Sequence, residues 1–189
     1  IQTVLQTSQK IETEHQTQDG TWLLQRILPY VDNKQEVKGV ILTFTDVTNL
    51  KSNESKLRTL FELLPVGAYR ASAQGRQVRA NRAMVRLFGF DDEATMLAQV
   101  NAAERDWYVI AGRRAEFRAL LEAHGAVREF ESEMYRRGSG ERIWISENAH
   151  LVRAPDGGVL YYEGTVQDIT ERKRAEEALQ VTLSHIDQG

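Results

Sequence analysis

The stretch FTDVTNLKSNESKL, Phe44–Leu57, returns in altered form as VQDITERKRAEEAL, Val166–Leu179, at a constant offset of 122 residues. At that offset Trp22 falls on Trp144, Val37 on Val159, Thr43 on Thr165, Asp46 on Asp168 and Thr48 on Thr170. Lys51, Glu54 and Leu57 then fall on Lys173, Glu176 and Leu179. These are eight identities in the 39 positions from Asp19, where average composition would give about two or three. No gap is needed, although the turns YVDNKQEV and VRAPDGGV differ. Further on, LRTLFELLPVG lies over LQVTLSHIDQG, with Phe61/Leu183 and Leu64/Ile186 keeping apolar character. The chain therefore reads as the back of one repeated unit, one complete unit and the first residues of a third.

Composition narrows the function. Of 189 residues, 41% are hydrophobic and 27% charged, with a net charge of −3. Such a chain is globular, with no charge excess directed at nucleic acid or anionic membrane. No apolar run approaches the length of a bilayer span, so direct membrane insertion is not expected; a membrane anchor elsewhere in a longer parent stays compatible with this. The absence of cysteine excludes disulfides, thiolate catalysis and Fe–S clusters. A start at Ile1 and an ending in HIDQG suggest a segment of a longer protein.

Within the complete unit the periodicity changes once. Leu50, Leu57, Phe61 and Leu64 recur at helical spacing up to Pro65, predicting an amphipathic helix. VGAYRA and RQVRAN flank the turn SAQG and read as a hairpin. Asn81 is placed to cap RAMVRLF, which stops at Gly89, and Asp91 and Asp92 open a short helix toward Leu97. AGRRAEFRALLEAHG is amphipathic, with Phe117, Leu120 and Leu121 on one side and Gly125 as its end. From VREFESEMYRR onward the period is two, giving three strands joined by GSGE and APDGG. Ile143, Ile145, Ala149 and Leu151 share one face, with Glu147 the exception. The order strand-strand, helices, three strands predicts an α+β fold: a five-stranded antiparallel sheet with helices on one face. The expected organisation is residues 1–50 as the strand half of a first unit, 51–64 as a linker helix, 65–170 as the complete unit, and 171–189 as an outgoing helix entering a further unit.

QVRANRAMVRLFGF, the long GSGERIWISENAHLVRAPDGGVLYYEGTVQDITERKRAEEAL and the order of elements resemble a PAS domain with its C-terminal PAC segment. The resemblance covers roughly Leu57–Leu179. Residues 10 to 50 resemble the strand half of a second PAS domain, similar to units of chemotaxis methyltransferase/methylesterase fusion proteins. The complete unit is similar to those of bacterial histidine kinases and diguanylate cyclases, in two-component and phosphorelay signalling. The resemblance implies a cytoplasmic module that senses a small molecule, redox state or light, or only dimerises, and passes the result to an output domain in the same parent chain.

On that basis Asp46, Thr48, Asp168 and Thr170 are the expected signal-transfer residues. The aspartate would accept backbone or Arg hydrogen bonds and the threonine would cap the departing helix. Leu50, Leu57 and Leu64, seven apart, suit a parallel coiled coil in a homodimer, or a helix lying on its own sheet. The resemblance puts a pocket between helices and sheet, with Tyr69, Met84, Phe88, Phe117, Leu121 and Phe130 as candidate lining, unless these only fill the core. Lack of Cys excludes thiol-dependent flavin and coumaroyl-type sensors. Haem is disfavoured, since its one candidate ligand, His124, sits where histidines cap carbonyls. An empty pocket is the leading expectation; a noncovalent flavin or a small metabolite remains compatible with the sequence. Trp144 could stack on a flavin ring, but its counterpart Trp22 favours a structural role for both, with the Trp144 indole expected to pack against the sheet or a helix.

No catalytic constellation is present. G-x-S-x-G, H-E-x-x-H, a P-loop and G-x-G-x-x-G are all missing, and the four His are scattered. Glu129, Glu131 and Glu133 are expected on one solvated strand face. Arg76, Arg79, Arg82 and Arg86 form a basic cluster without interleaved aromatics, which does not predict nucleic-acid binding. His185 follows a charged helix as a phospho-acceptor would, but TLSHIDQG lacks the surround of a kinase histidine and reads as a linker.

Overall fold

The computed structural model describes residues 1–33, 36–102, 107–137 and 139–186. Two compact units emerge, Ile1–Thr59 and Leu60–Gly189.

In the first unit, a short helix α1 (Gln2–Thr7), unforeseen in the sequence, precedes strands β1 (Ile11–Gln16), β2 (Trp22–Val31) and β3 (Val37–Asp46). The strands form an antiparallel sheet in the order β1-β2-β3. Helix α2 starts at Thr48 and runs to Leu63, so it begins two residues before the expected span and ends before Pro65.

The second unit holds β4 (Gly67–Ser72), β5 (Gln77–Ala80), α3 (Arg82–Leu87), α4 (Glu93–Ala102), α5 (Arg113–His124), β6 (Ala126–Tyr135), β7 (Arg142–Arg153), β8 (Val159–Asp168) and α6 (Thr170–Ile186). Its sheet is five-stranded, all antiparallel, in the order β5-β4-β8-β7-β6. The fold class is α+β, as the alternation of periods predicts. Helices α3, α4 and α5 supply Met84, Phe88, Met96, Val100, Phe117 and Leu121 to the core, and Tyr69, Met134, Ile143, Ile145, Ala149 and Val166 come from the sheet. Burying one such side chain stabilises by about 1.5–3 kcal/mol. Among the described residues no helix is long and apolar enough to cross a membrane.

The local signals act as their chemistry dictates. Asn81 is fully buried. Its Oδ1 accepts from Met84 N at 2.9 Å and Ala68 N at 2.8 Å, and its Nδ2 donates to the carbonyls of Phe61 and Val66. One side chain thus caps α3 and pins the start of β4. Asp92 Oδ1 accepts from Thr95 N at 2.7 Å, and α4 runs to Ala102, five residues beyond the expected Leu97. At Gly89 (φ +77) a Cβ would stand 2.7 Å from the Arg137 carbonyl, so glycine is what lets the end of α3 meet the β6–β7 hairpin.

One irregularity lies in β6: the β6–β7 register shifts between Val127 and Phe130, so these two residues, three apart, both meet the core. Glu129 takes φ 50 in that bulge and donates its N–H to Asn148 Oδ1. Glu131 and Glu133 lie on the outer face, and both are ion-paired there.

Candidate functional site

The outgoing helix is tied to the sheet by a set of bonds found twice. Trp144 carbonyl accepts from Ile169 N at 2.8 Å, continuing the β7–β8 ladder past the end of β8. The next ladder bond is made by a side chain: Thr170 Oγ1 accepts from Trp144 N at 3.0 Å. Asp168 Oδ1 accepts from Thr170 N at 2.9 Å. At the end of β3, Val47 N donates to the Trp22 carbonyl (2.8 Å), Trp22 N to Thr48 Oγ1 (2.8 Å) and Thr48 N to Asp46 Oδ1 (2.9 Å). The threonine role is therefore not the expected helix cap. Its hydroxyl stands in for a backbone carbonyl, so the last sheet bond is made by the first helical residue. The aspartate holds that residue's amide in an Asx turn.

A third layer covers each junction. Lys173 Nζ lies 2.5 Å from Glu131 and 5.4 Å from the centre of the Trp144 ring; Lys51 Nζ lies 2.6 Å from Glu14 and 5.7 Å from that of Trp22. Glu131 faces Ser146 and Glu14 faces Leu24 in their sheets, and Leu24 and Ser146 are 122 apart. The two glutamates are thus structural counterparts, hidden from the constant offset by a longer hairpin in the second unit. Arg172 also reaches Glu131, and the hydrogen bonds from Lys173 and Arg172 hold its carboxyl below the ordinary range. Trp144 is half-buried on the outer face beneath Lys173, while its neighbours Ile143 and Ile145 point into the core. The indole therefore packs on the outer face and does not face the core.

On the opposite face a cavity of about 90 Å³ lies between α3, α4, α5 and the sheet. Tyr69, Met84, Phe88, Phe117 and Leu121 line it. Phe130 does not: it is buried beside the cavity against Phe117 (5.2 Å) with the Arg113 guanidinium over its ring (3.9 Å). His124 is exposed in the last turn of α5. The side chain of His185 lies outside the described residues.

The polar lining was missed in the sequence. Glu147 is buried, and Tyr69 Oη donates to its Oε1 at 2.5 Å. Burial pushes the Glu147 carboxyl up to about 7, against the opposing effects of the Tyr69 bond and of Arg114. Burial and the same carboxylate push the Tyr69 hydroxyl well above its ordinary range, and burial likewise raises Tyr108. A lone acidic residue on an otherwise apolar face was the one available signal. Gly164 makes the pair fit: a Cβ there would stand 2.5 Å from the Asn148 carbonyl and 3.0 Å from the Tyr69 ring. Trp107 enters the cavity because its segment adds to the edge of β6, with Tyr135 N donating to Trp107 O and Val109 N to Glu133 O. Among the described residues no group of three or more His, Asp or Glu could hold a metal ion.

Two arginines join cavity walls to the junction. Arg113 of α5 donates to the Glu131 carbonyl at 2.7 Å, and the Glu131 side chain holds α6. Arg136 Nε donates to the Leu87 carbonyl at the end of α3 (3.0 Å), and its Nη2 to Asp168 (3.3 Å).

Comparison with known proteins agrees with this architecture. A family model described as PAS fold matches residues 61–174, and one described as PAS domain matches residues 1–48. A PAS domain from Colwellia psychrerythraea superposes with a TM-score of 0.53 at 16% identity, covering 63% of this chain and 98% of that one. A domain of a sensory box sensor histidine kinase/response regulator from Geobacter sulfurreducens gives 0.50 at 25% identity, covering 65% and 99%. A probable diguanylate cyclase of Escherichia coli (strain K12) is 23% identical over 139 residues, 73% of this chain, which spans only 12% of that protein. With the sheet order, the cavity and the doubled Asp-x-Thr junction, these matches place the chain in the PAS domain family.

Proposed function

We propose that the unit spanning residues 65–170 is a sensory relay: a change in its cavity moves α6, and α6 passes the change to an output domain elsewhere in the parent chain. The observation that carries this reading is the pair of arginine bridges. Helices α3 and α5 wall the cavity: Arg136 joins the Leu87 carbonyl at the end of α3 to the Asp168 carboxylate, and Arg113 of α5 donates to the backbone carbonyl of Glu131, whose side chain holds the first turn of α6. A ligand that spreads those helices would strain Asp168 and Glu131 together. The fragment itself has no catalytic role in this reading, and the parent would be a cytoplasmic or membrane-anchored histidine kinase, diguanylate cyclase or chemotaxis methyltransferase. The kinase and cyclase relatives named above support the first two outputs.

The test is hydrogen exchange at the amides of Thr170–Ala175, with and without whatever small molecule denaturing extraction and mass spectrometry recover from the purified protein. Relay predicts a change in exchange there on ligand addition. Unchanged exchange at saturating ligand would refute it.

A second reading, a ligand-free spacer that dimerises, is favoured by Leu50 and Leu57, exposed seven apart on α2. A second copy of the chain would cover them. Sedimentation of a Leu50→Lys/Leu57→Lys variant as monomer, beside a dimeric wild type, supports that contact.

A further inference from the structure

Two residues that line the cavity each carry a buried polar atom with nothing to bond. Among the described residues Trp107 Nε1 and Gln77 Oε1 are enclosed without a hydrogen-bond partner, and both residues line the cavity. Two other such atoms, Ser72 Oγ and Arg137 Nε, belong to residues outside the lining. Native structures leave few polar groups in this state, because each has given up its water for nothing. The Trp107 indole and the Gln77 backbone are both held in place. The Trp107 ring is held edge-on by Phe88 at 4.9 Å and stacked on Phe90 at 5.9 Å, and the residue is 5% exposed. Gln77 has its backbone gripped on both sides by the Asn101 carboxamide, which accepts from its N–H at 2.9 Å and donates to its carbonyl at 2.8 Å.

The remaining chemistry limits what could complete them. The cavity already holds the Glu147 carboxyl, bonded by Tyr69, and the Arg114 guanidinium, which donates to the Gly75 carbonyl, so its charged groups have partners within the protein. At about 90 Å³ it is smaller than the roughly 150 Å³ that accommodates benzene in an engineered cavity. Its walls are largely aromatic and thioether: Phe88, Trp107, Tyr108, Phe117, Met84 and Met134. We propose that this cavity binds a small neutral one-ring nitrogen heterocycle, whose acceptor takes the Trp107 indole N–H and whose N–H is taken by the Gln77 carboxamide oxygen. The proposal rests on the sensory reading above and names the class of its ligand.

The test uses the whole 189-residue chain with 13C-methyl methionine and pyrazole as the probe. Met84 and Met134 line the cavity, while Met96 is buried in the core outside the lining and serves as the control. Pyrazole is expected to shift the Met84 and Met134 methyl signals and leave Met96 in place. 1-Methylpyrazole, which has no N–H, and benzene, which has neither group, should bind about tenfold more weakly or worse. Trp107→Phe keeps the ring and loses the donor; Gln77→Leu loses the acceptor at a half-buried position and guards against a folding failure of the first variant. Each should weaken pyrazole about tenfold. Benzene binding as well as pyrazole, wild-type affinity in both variants, or no methyl shift because water alone fills the cavity would each overturn the proposal. Relay is read separately, from amide exchange in α6 at saturating pyrazole. Binding with unchanged α6 exchange would keep the ligand class and remove the relay.

Discussion

Lys173 is held between Glu131 at 2.5 Å and the Trp144 ring at 5.4 Å, so that a cation on α6 is shared by a carboxylate and an indole on the sheet. Glu14, Lys51 and Trp22 make the same arrangement at the end of the first unit. The ion pair alone is half-exposed and screened by salt, and such pairs contribute little to stability. What the arrangement fixes is position: a helix that could leave the sheet at many angles is given one. Glu131→Gln should therefore speed amide exchange at Lys173 and the turn after it, with little change in the melting temperature of the chain. High salt should do the same to the wild type. Because Lys173 and Arg172 hold the Glu131 carboxyl below its ordinary range, the contact is complete above about pH 4.5. It is lost as pH falls through the lowered value.

Glu147 titrates in the opposite sense. Its carboxyl is raised from 4.5 to about 7 by burial, so the folded state holds a proton that the unfolded chain has released. The stability this contributes is full below about pH 4.5 and is lost as pH rises to about 7, by about 3 kcal/mol at most. Tyr69, Tyr108 and Arg114 are the titratable groups that act on it. Glu147→Gln should flatten this part of the curve. The check is denaturant unfolding of both proteins at pH 5 and pH 8, where the wild type should lose more stability than the variant on going to the higher pH.

Gly164→Ala would place a methyl 2.5 Å from the Asn148 carbonyl and 3.0 Å from Tyr69. Overpacking of this kind costs about 1–3 kcal/mol, and it would push the tyrosine off Glu147. A lower denaturation midpoint together with a shifted tyrosine absorbance is expected.

Trp144→Ala should cost about 2 kcal/mol, below the 3–5 kcal/mol of a fully buried tryptophan, because its ring is covered on one side only by Lys173. Denaturant melts of the variant and wild type provide the comparison. Lys173→Met, which keeps an apolar cover on the ring, should retain more stability than Trp144→Ala.

Sequence periodicity revealed the sheet and its helices because apolar residues on strands alternate and those on α5 recur at 3.6. It also exposed the Asp-x-Thr junction, because identical residues at a constant offset carry the repeat. It could not reveal Glu131 as the counterpart of Glu14, since a hairpin of different length breaks the offset between them. The bulge at Glu129 was equally hidden: a non-glycine residue at φ 50 leaves no mark in an alternating pattern. The cavity's polar end was unreadable for another reason. Tyr69 and Glu147 are 78 residues apart, and only strand β8 with its glycine brings them together. Threonine at a helix start suggests a cap, and only the register of Trp144 against Ile169 shows that its hydroxyl faces the sheet.

In the proposed relay Asp168 and Thr170 carry position from sheet to helix, beyond holding the fold together. Asp168→Ala removes the acceptor for Thr170 N and one partner of Arg136, a loss of about 1–3 kcal/mol that a domain of this size survives. The deciding measurement is the output activity of the full-length parent carrying Asp168→Ala, set beside the melting temperature of the 189-residue chain with the same change. Output that no longer responds to signal is expected, while the melting temperature falls by only a few degrees. Wild-type signalling in a chain that melts much earlier would contradict it and leave the motif a structural fastening alone.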